Sequence, residues 1–441
     1  MRTVWTIAIE AMSWMELEGL SLSSALTQTT SQLEIRDAKR TTLARRLVRE
    51  CIRRRNFVDK IVNHAIAPEP FSDFSLGVQA FLRLYTYSTK FTAAGREAGV
   101  PLAEIGRRVL GWKTLMPVEE ALGKILAIDP QSLLEDADEI ERISLQTFHP
   151  TWFTRYCIRL LGRSEALKLL KTQEDVLRPL LCVNPFKAGE AAIRSTLSTQ
   201  GVTLEQVEAL PFLYRIVETA TPLTRLKEYR DGLFFLPNMT SCVTVAAGKP
   251  IADATVLDVG ATHGVKAAYA ALFLKGSGRV LSVDYPSRPM GRLQAQLKRL
   301  GIQNVDMLTT DLEGNLPFTG KADVIYVTPP SSGSGAFWRT ALKWRGSNVV
   351  KRMIERQWRL LTQCVNYLAR DGCLVYSTSS ILMEENELII ERFLKEHPEF
   401  VLAEIGLKMG VPGQRGQEEA IRLYPHKHNV DGVYIAKLIE G

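Results

Sequence analysis

The stretch of this chain best equipped for chemistry is Thr255-Val256-Leu257-Asp258-Val259-Gly260-Ala261-Thr262-His263-Gly264. Its apolar start reads as a strand and its end as a turn into a helix. Glycine lets the backbone turn tightly against a ligand, and the helix start offers free N–H groups. The next apolar run, Arg279-Val280-Leu281-Ser282-Val283, ends in Asp284. A carboxylate there can accept both hydroxyls of a ribose. Asp311 follows the third run, where such sites contact an adenine edge. Asp258, Gly260, Ala261, Gly264, Asp284 and Asp311, with Lys266 and Arg292 beside them, are the candidate cofactor residues. A full Gly-x-Gly-x-x-Gly is missing, which argues against a pyrophosphate cofactor and favours S-adenosylmethionine over NAD. The bland alternative is a structural turn with two solvated acids.

These residues need a sheet to position them. Strands are expected at 255–259, 279–283, 304–308, 323–327 and 373–377, and helices near 264–274, 288–300, 349–369 and 384–396. Short apolar runs separated by helices imply a largely parallel sheet, because each crossover covers a sheet face. Gly432 to Leu438 adds a late strand near an antiparallel edge, the sixth placed in a sheet expected to have seven.

The 441 residues exceed one ordinary core, so several domains are expected. Residues 1–135 read as helices, 143–225 as a small connector of helices and strands around Leu180–Asn184, and 226–441 as the α/β domain; the acidic 131–142 closes the first unit. Helical repeats recur at Phe74–Tyr87 and Leu102–Ala127. From Thr41 to Ile66, Leu43, Leu47, Cys51, Val58, Ile61 and Val62 recur at mostly helical intervals, predicting one buried stripe. Arg45, Arg46, Arg49, Arg53, Arg54 and Arg55 lie on the other faces. Together with a net charge of +7, they point to RNA phosphate or simply to a solvated face. Six cysteines without a CxxC spacing suggest reduced interior thiols in a cytoplasmic protein, with neither a disulfide framework nor a metal cluster. No uncharged window reaches the length of a membrane span.

Ordered motifs extend over nearly the whole chain. They are Tyr229-Arg230-Asp231-Gly232-Leu233-Phe234 with Ser241, the turn at Asp258, Lys298-Arg299-Leu300-Gly301 with Asn304-Val305, and Ser332-Gly333-Ser334-Gly335. Lys343-Trp344, Gly372 to Thr378, and Arg422-Leu423-Tyr424-Pro425 with His428, Asp431 and Gly432 follow. On these the chain resembles the RNA cytosine-C5 methyltransferases of the RsmB and Nol/Nop/Sun family. The resemblance implies an all-α NusB-like RNA-binding domain, a small α/β connector carrying His149-Pro150-x-Trp152 and Val183-Asn184, and a Rossmann-like class I methyltransferase domain. The NusB part rests on helical pattern and Leu82-Arg83-Leu84.

In that family one cysteine attacks C6 of cytosine, a second assists product release, an aspartate contacts the base and a lysine supports the site. The matching segments here read Thr378-Ser379-Ser380 and Thr328-Pro329-Pro330-Ser331-Ser332-Gly333. Serine therefore stands at both cysteine positions, Ser379 and Ser331, and threonine at the aspartate, Thr328, while Lys266 remains. A thiol supplies its anion at modest cost, whereas a hydroxyl must be strongly activated. His263 and Val265 replace a proline and a glycine of the cofactor turn, leaving S-adenosylmethionine binding open.

The expectation is an RNA-binding homologue without C5-methylating activity, a pseudoenzyme whose partner is rRNA or tRNA or a pre-ribosomal particle rather than DNA or a membrane. Lys343 and Trp344 join the arginines as candidate RNA contacts, although core packing of Trp344 is equally consistent. Two alternatives stay open: an active methyltransferase with a changed target atom, and a protein-binding assembly factor. Thr328-Pro329-Pro330-Ser331 stands where amino methyltransferases carry Asn/Asp-Pro-Pro-aromatic, but lacks the amide and the ring.

Overall fold

Helices bury an apolar stripe and parallel strands bury both faces; the two halves of this chain follow one rule each. The computed structural model describes residues 1–172, 179–261, 264–285, 290–312, 314, 316, 318–336 and 348–441, with the side chains of residues 290, 292 and 349 outside that description. Its described contacts form two units, one of residues Met1–Lys171 and the other of Thr172–Ala336 with Asn348–Gly441.

The first unit is helical throughout, beginning with Arg2–Glu18, whose Val4, Trp5, Ile7, Ala8, Ala11, Met12 and Met15 are buried. The stripe expected from Thr41 to Ile66 is broken: helices Ala38–Arg53 and Arg55–Ile66 meet at Arg54, whose φ of −109° and ψ of 14° are not helical. The first of them turns Ala44, Val48, Cys51 and Ile52 inward, so Leu43, expected in the stripe, is 52% exposed. Small Ala44 permits close helix packing, and the chain rotates by one position to use it. Helices Leu76–Lys90, Gly99–Leu110 and Glu119–Ala127 complete much of the core. Buried Arg83 donates from Nε to Asp59 at 2.7 Å, and Arg55 reaches the same carboxylate at 3.2 Å. Leu82-Arg83-Leu84 is thus part of an internal ion pair. The helices Glu139–Thr147, Thr151–Leu161 and Arg163–Lys171 belong to this unit, where His149 is buried and its Nε2 lies 3.0 Å from the Leu170 carbonyl.

The second unit opens with β1 (Leu180–Val183), β2 (Val202–Gln206), β3 (Leu213–Thr219) and β4 (Phe234–Phe235), an antiparallel sheet in the order β2-β3-β1-β4. The segment 143–225 is therefore divided: its helices up to Lys171 belong to the first unit, and its strands with the helix Glu190–Thr199 belong to the second.

The large sheet contains β5 (Thr255–Val259), β6 (Arg279–Asp284), β7 (Val305–Thr309), β8 (Ala322–Val327), β9 (Leu368–Thr378), β10 (Phe400–Ala403), β11 (Val411–Pro412), β12 (Ile421–Leu423) and β13 (Val433–Glu440). The order is β11-β12-β13-β9-β8-β5-β6-β7, with β10 paired to β13. The sheet has nine strands rather than the expected seven; the six placed from the sequence are all present, and β10, β11 and β12 are too short to leave a periodic pattern. The pairs among β5 to β9 are parallel, and β13 runs antiparallel to β9. Helices Met239–Gly248, Val265–Phe273, Met290–Leu300, Asn348–Val365 and Glu387–Glu396 supply the α component of this Rossmann-like fold. The carboxyl ends of β6, β5, β8 and β9 lie side by side, which gathers Asp284, Gly260, Thr328 and Ser379 on one edge.

Candidate functional site at the carboxyl ends of the strands

Gly260 leaves β5 with φ of +79°, and a Cβ on it would stand 2.3 Å from the Thr328 carbonyl oxygen. Only glycine permits both the dihedral and that approach. Gly264 also has a positive φ, but a Cβ there would meet Leu293 at 1.7 Å, so its small size serves helix packing. Asp284 is buried at the end of β6 and its Oδ1 accepts the Tyr285 N–H at 2.8 Å. Asp311 is exposed at the end of β7. Ala261 is buried in the turn. Thr262, His263, Trp338, Arg339, Lys343, Trp344, Arg345 and the Arg292 side chain lie outside the described residues.

Lys266 is buried, with its Nζ 3.2 Å from Asp258 Oδ1 and donating to the Gly260 carbonyl at 3.2 Å. Neither Asp258 oxygen accepts an aligned hydrogen bond among the described residues. Burial raises the Asp258 carboxyl above the usual carboxylate range, and the Lys266 ammonium opposes that shift. Lys266 thus ties the turn to its own strand. Thr328 does the same from the next strand, its hydroxyl 3.1 Å from the Val259 carbonyl and 2.9 Å from that of Gly260.

Ser331 and Ser379 stand on adjacent loops, joined where the Gly335 N–H donates to the Ser379 carbonyl at 3.0 Å. Both are half-buried, and neither hydroxyl has a hydrogen-bond partner among the described residues. Beneath them the hydroxyls are fully engaged. Glu385 is completely buried and accepts from Ser332 N–H at 2.8 Å, Ser332 Oγ at 2.5 Å, Ser380 Oγ at 2.5 Å and Gln357 Nε2 at 2.8 Å. Ser334 Oγ lies 2.8 Å from Ser380 Oγ and accepts the Ile381 N–H. This carboxylate seat fixes both loops, and its hydrogen bonds compensate the cost of burying a polar group. Sequence reasoning missed it because Glu385 has no motif partner nearby; the repeated serines of the two loops were the available signal.

All six cysteines are buried, and burial pushes the Cys51 and Cys364 thiols up to about 12. His428 is engaged elsewhere, its Nδ1 accepting the Tyr424 N–H at 2.8 Å.

Other motif residues act as framework. Asn184 Nδ2 donates to the Gly232 and Leu300 carbonyls, each at 2.8 Å, while its Oδ1 accepts the Phe186 N–H. Arg299 donates to the carbonyls of Tyr229 and Phe234 and lies 4.1 Å from the centre of the Tyr229 ring. Buried Arg422 forms a two-point ion pair with buried Glu387.

A family model described as 16S rRNA methyltransferase RsmB/F matches residues 245–439, covering every element of this edge from the cofactor turn to β13. A probable ribosomal RNA small subunit methyltransferase B of Bacillus subtilis is 25% identical over 308 residues, covering 68% of each chain. Residues 245–439 are thus similar to the RsmB/F group of 16S rRNA methyltransferases, a match that spans under half of the chain. A tRNA (cytosine(72)-C(5))-methyltransferase of Pyrococcus horikoshii is 30% identical over 220 residues, or 49% of this chain and 54% of that one. In fold, the crystal structure of PH0851 superposes with a TM-score of 0.77 at 22% identity, over 100% of this chain and 99% of its own.

Gly260, Ala261 and Asp284 could hold the nucleoside end of S-adenosylmethionine: the turn at Gly260 packs so closely on Thr328 that it has no room for a Cβ, and Asp284 is held at the strand end where a ribose would sit. When bound, the cofactor supplies an electrophilic methyl group. The exposed face of the helical unit carries Arg45, Arg46 and Arg49; Arg45 bonds to Ser23 at 3.0 Å. Arg49, Arg53 and Arg54 all pair with Glu50, at 3.4, 3.3 and 2.9 Å, and Arg55 pairs with Asp59 and Glu16; Arg49 nonetheless stays exposed, whereas Arg53, Arg54 and Arg55 are largely covered. Arg54 also lies 5.2 Å from the centre of the Phe148 ring. The candidate basic face therefore divides into an outward group and an inward one. Among the described residues no helix is long and apolar enough to cross a membrane.

Proposed function

We propose that this protein is an RNA-binding homologue of the rRNA and tRNA cytosine-C5 methyltransferases that does not itself methylate C5. The observation that carries this reading is that Ser331 and Ser379, at the positions expected for the two cysteines, have hydroxyls without any hydrogen-bond partner among the described residues, while Glu385 below is saturated by other donors. Attack on C6 by a hydroxyl needs a base within hydrogen-bond reach. The reading takes the helical unit as NusB-like, with Arg45, Arg46 and Arg49 as its phosphate-facing group, and rRNA, tRNA or a pre-ribosomal particle in the cytoplasm as the target. Transfer to another atom is less well supported, because Thr328 spends its hydroxyl on the Val259 and Gly260 carbonyls instead of orienting an amine.

The test combines two measurements on the purified chain. Incubation of total tRNA and rRNA with methyl-labelled S-adenosylmethionine should give no 5-methylcytosine, while labelled RNA should bind in a salt-dependent manner. Formation of 5-methylcytosine by the wild-type protein overturns the reading; label on another atom selects the altered enzyme. Calorimetric titration with S-adenosylmethionine, with Asp284→Ala as control, reports separately whether the donor site persists.

A further inference from the structure

Away from the two serines, a cleft of about 510 Å³ opens beside the turn that joins β12 to β13. Its lining includes Arg215 and Glu205 from the small sheet, Met239, Lys408, Lys427 and His428. Three permanent cations face one carboxylate there. Glu205 and Arg215 are directly opposed across β2 and β3, yet among the described residues neither Arg215 nor Lys408 forms an ion pair. Three cations against one carboxylate leave the concave wall net positive, a field that attracts an anion.

His428 adds a directional group. Burial lowers its pKa, so the ring is neutral near pH 7. Its Nδ1 lies 2.8 Å from the Tyr424 N–H and 3.2 Å from the Tyr424 carbonyl oxygen; the N–H can only donate, so the closer contact assigns the lone pair to Nδ1 and the ring proton to Nε2. That N–H has no acceptor among the described residues. Burial thus leaves a hydrogen-bond donor rather than a fourth charge.

The register locates this cleft on the sheet. Leu423 is paired with Val433 and Tyr434 with Thr378, so the turn between β12 and β13 lies at the end where β9 runs into Ser379. The Gly432 N–H donates to the Gly335 carbonyl at 2.8 Å, fastening that turn to the segment after Ser331. The helix Met239–Gly248 begins at this end too, since Thr244, one turn in, bonds to Ser377.

We propose that Arg215, Lys408, Lys427 and the Nε2–H of His428 form a binding site for backbone phosphates of an RNA strand that crosses the Ser331–Ser379 edge. The inference rests on the RNA-binding reading and adds where on the second unit the strand is held. Phosphate contacts position a strand without reading its sequence, so the site serves many sequences alike.

The test is fluorescence anisotropy with a labelled tRNA transcript at several salt concentrations, using the full chain. Wild type is compared with Arg215→Ala/Lys408→Ala/Lys427→Ala, with the exposed pair Lys408→Ala/Lys427→Ala, and with Arg45→Ala/Arg46→Ala/Arg49→Ala in the helical unit. The triple cleft variant should weaken binding about tenfold or more and reduce the salt slope by about 2, with a smaller loss for the pair. His428→Phe should weaken binding with the slope unchanged. Wild-type binding that the triple and pair variants both leave unaltered overturns the cleft alone. Absence of binding by the wild-type chain overturns the RNA reading and the cleft together. Loss confined to the helical-unit variant likewise rejects the cleft and retains the RNA reading.

Discussion

The junction around Asn184 and the edge holding Ser331 and Ser379 are both built from motifs shared with the methyltransferases, yet they differ in how many partners each side chain has. At the junction, Asn184 uses both its amide groups, Gly232 passes against the Arg299 backbone, and Arg299 supports two carbonyls. At the edge, the two serine hydroxyls have no partner among the described residues. Residues that the fold needs stay recognisable through packing alone, whereas residues that only a reaction needs can be exchanged without disturbing anything else. Resemblance in such a chain therefore reports on architecture first and on chemistry second.

That contrast makes quantitative demands. Gly232→Ala should be the most damaging change, because φ is +80° and the new Cβ would stand 2.1 Å from the Arg299 carbonyl oxygen. A loss of about 4 kcal/mol or more in urea unfolding is expected, and a near-neutral result would remove the junction from the comparison. Arg422→Met leaves Glu387 as a buried unpaired carboxylate and should cost about 3–5 kcal/mol. Recovery in the Arg422→Met/Glu387→Leu double variant would attribute the cost to the stranded charge, and persistence of the full loss would attribute it to packing.

Asn184→Ala strands two carbonyls and should cost about 2–3 kcal/mol by the same unfolding measurement. Ser332→Ala removes one donor from Glu385 and should cost about 1–2 kcal/mol. Smallest of all, Ser331→Ala and Ser379→Ala should each stay within about 0.5 kcal/mol of wild type. If either approached the cost of Ser332→Ala, the edge would be part of the framework and the contrast would fail.

The strand β5 was legible in full, and β6, β7 and β8 to within a residue, because a buried parallel strand is a short apolar run bounded by turn residues. The glycine turn and Asp284 were legible for the same reason: their positions follow from where strands end. The break at Arg54 was not, since no proline or glycine marks it; Arg53, Arg54 and Arg55 all favour a continuous helix, and tertiary packing around Ala44 and Phe57 decides otherwise. The Glu385 seat was hidden more deeply. Its donors come from positions as many as 53 residues away, and a glutamate in an acidic Met-Glu-Glu-Asn-Glu run reads as solvated until the fold buries it. Lys266 was visible as a cation at the cofactor turn, but its inward bond to Asp258 depends on a helix position that periodicity alone does not fix.

The saturated carboxylate beneath the two loops also has an evolutionary meaning. Since Glu385 holds both backbones through Ser332, Ser380 and Gln357, replacing oxygen by sulfur at positions 331 and 379 would break none of its hydrogen bonds. Selection on folding is then blind to that exchange in either direction. A lineage carrying this scaffold could lose or regain a nucleophile one atom at a time, with the rest of the molecule registering no change.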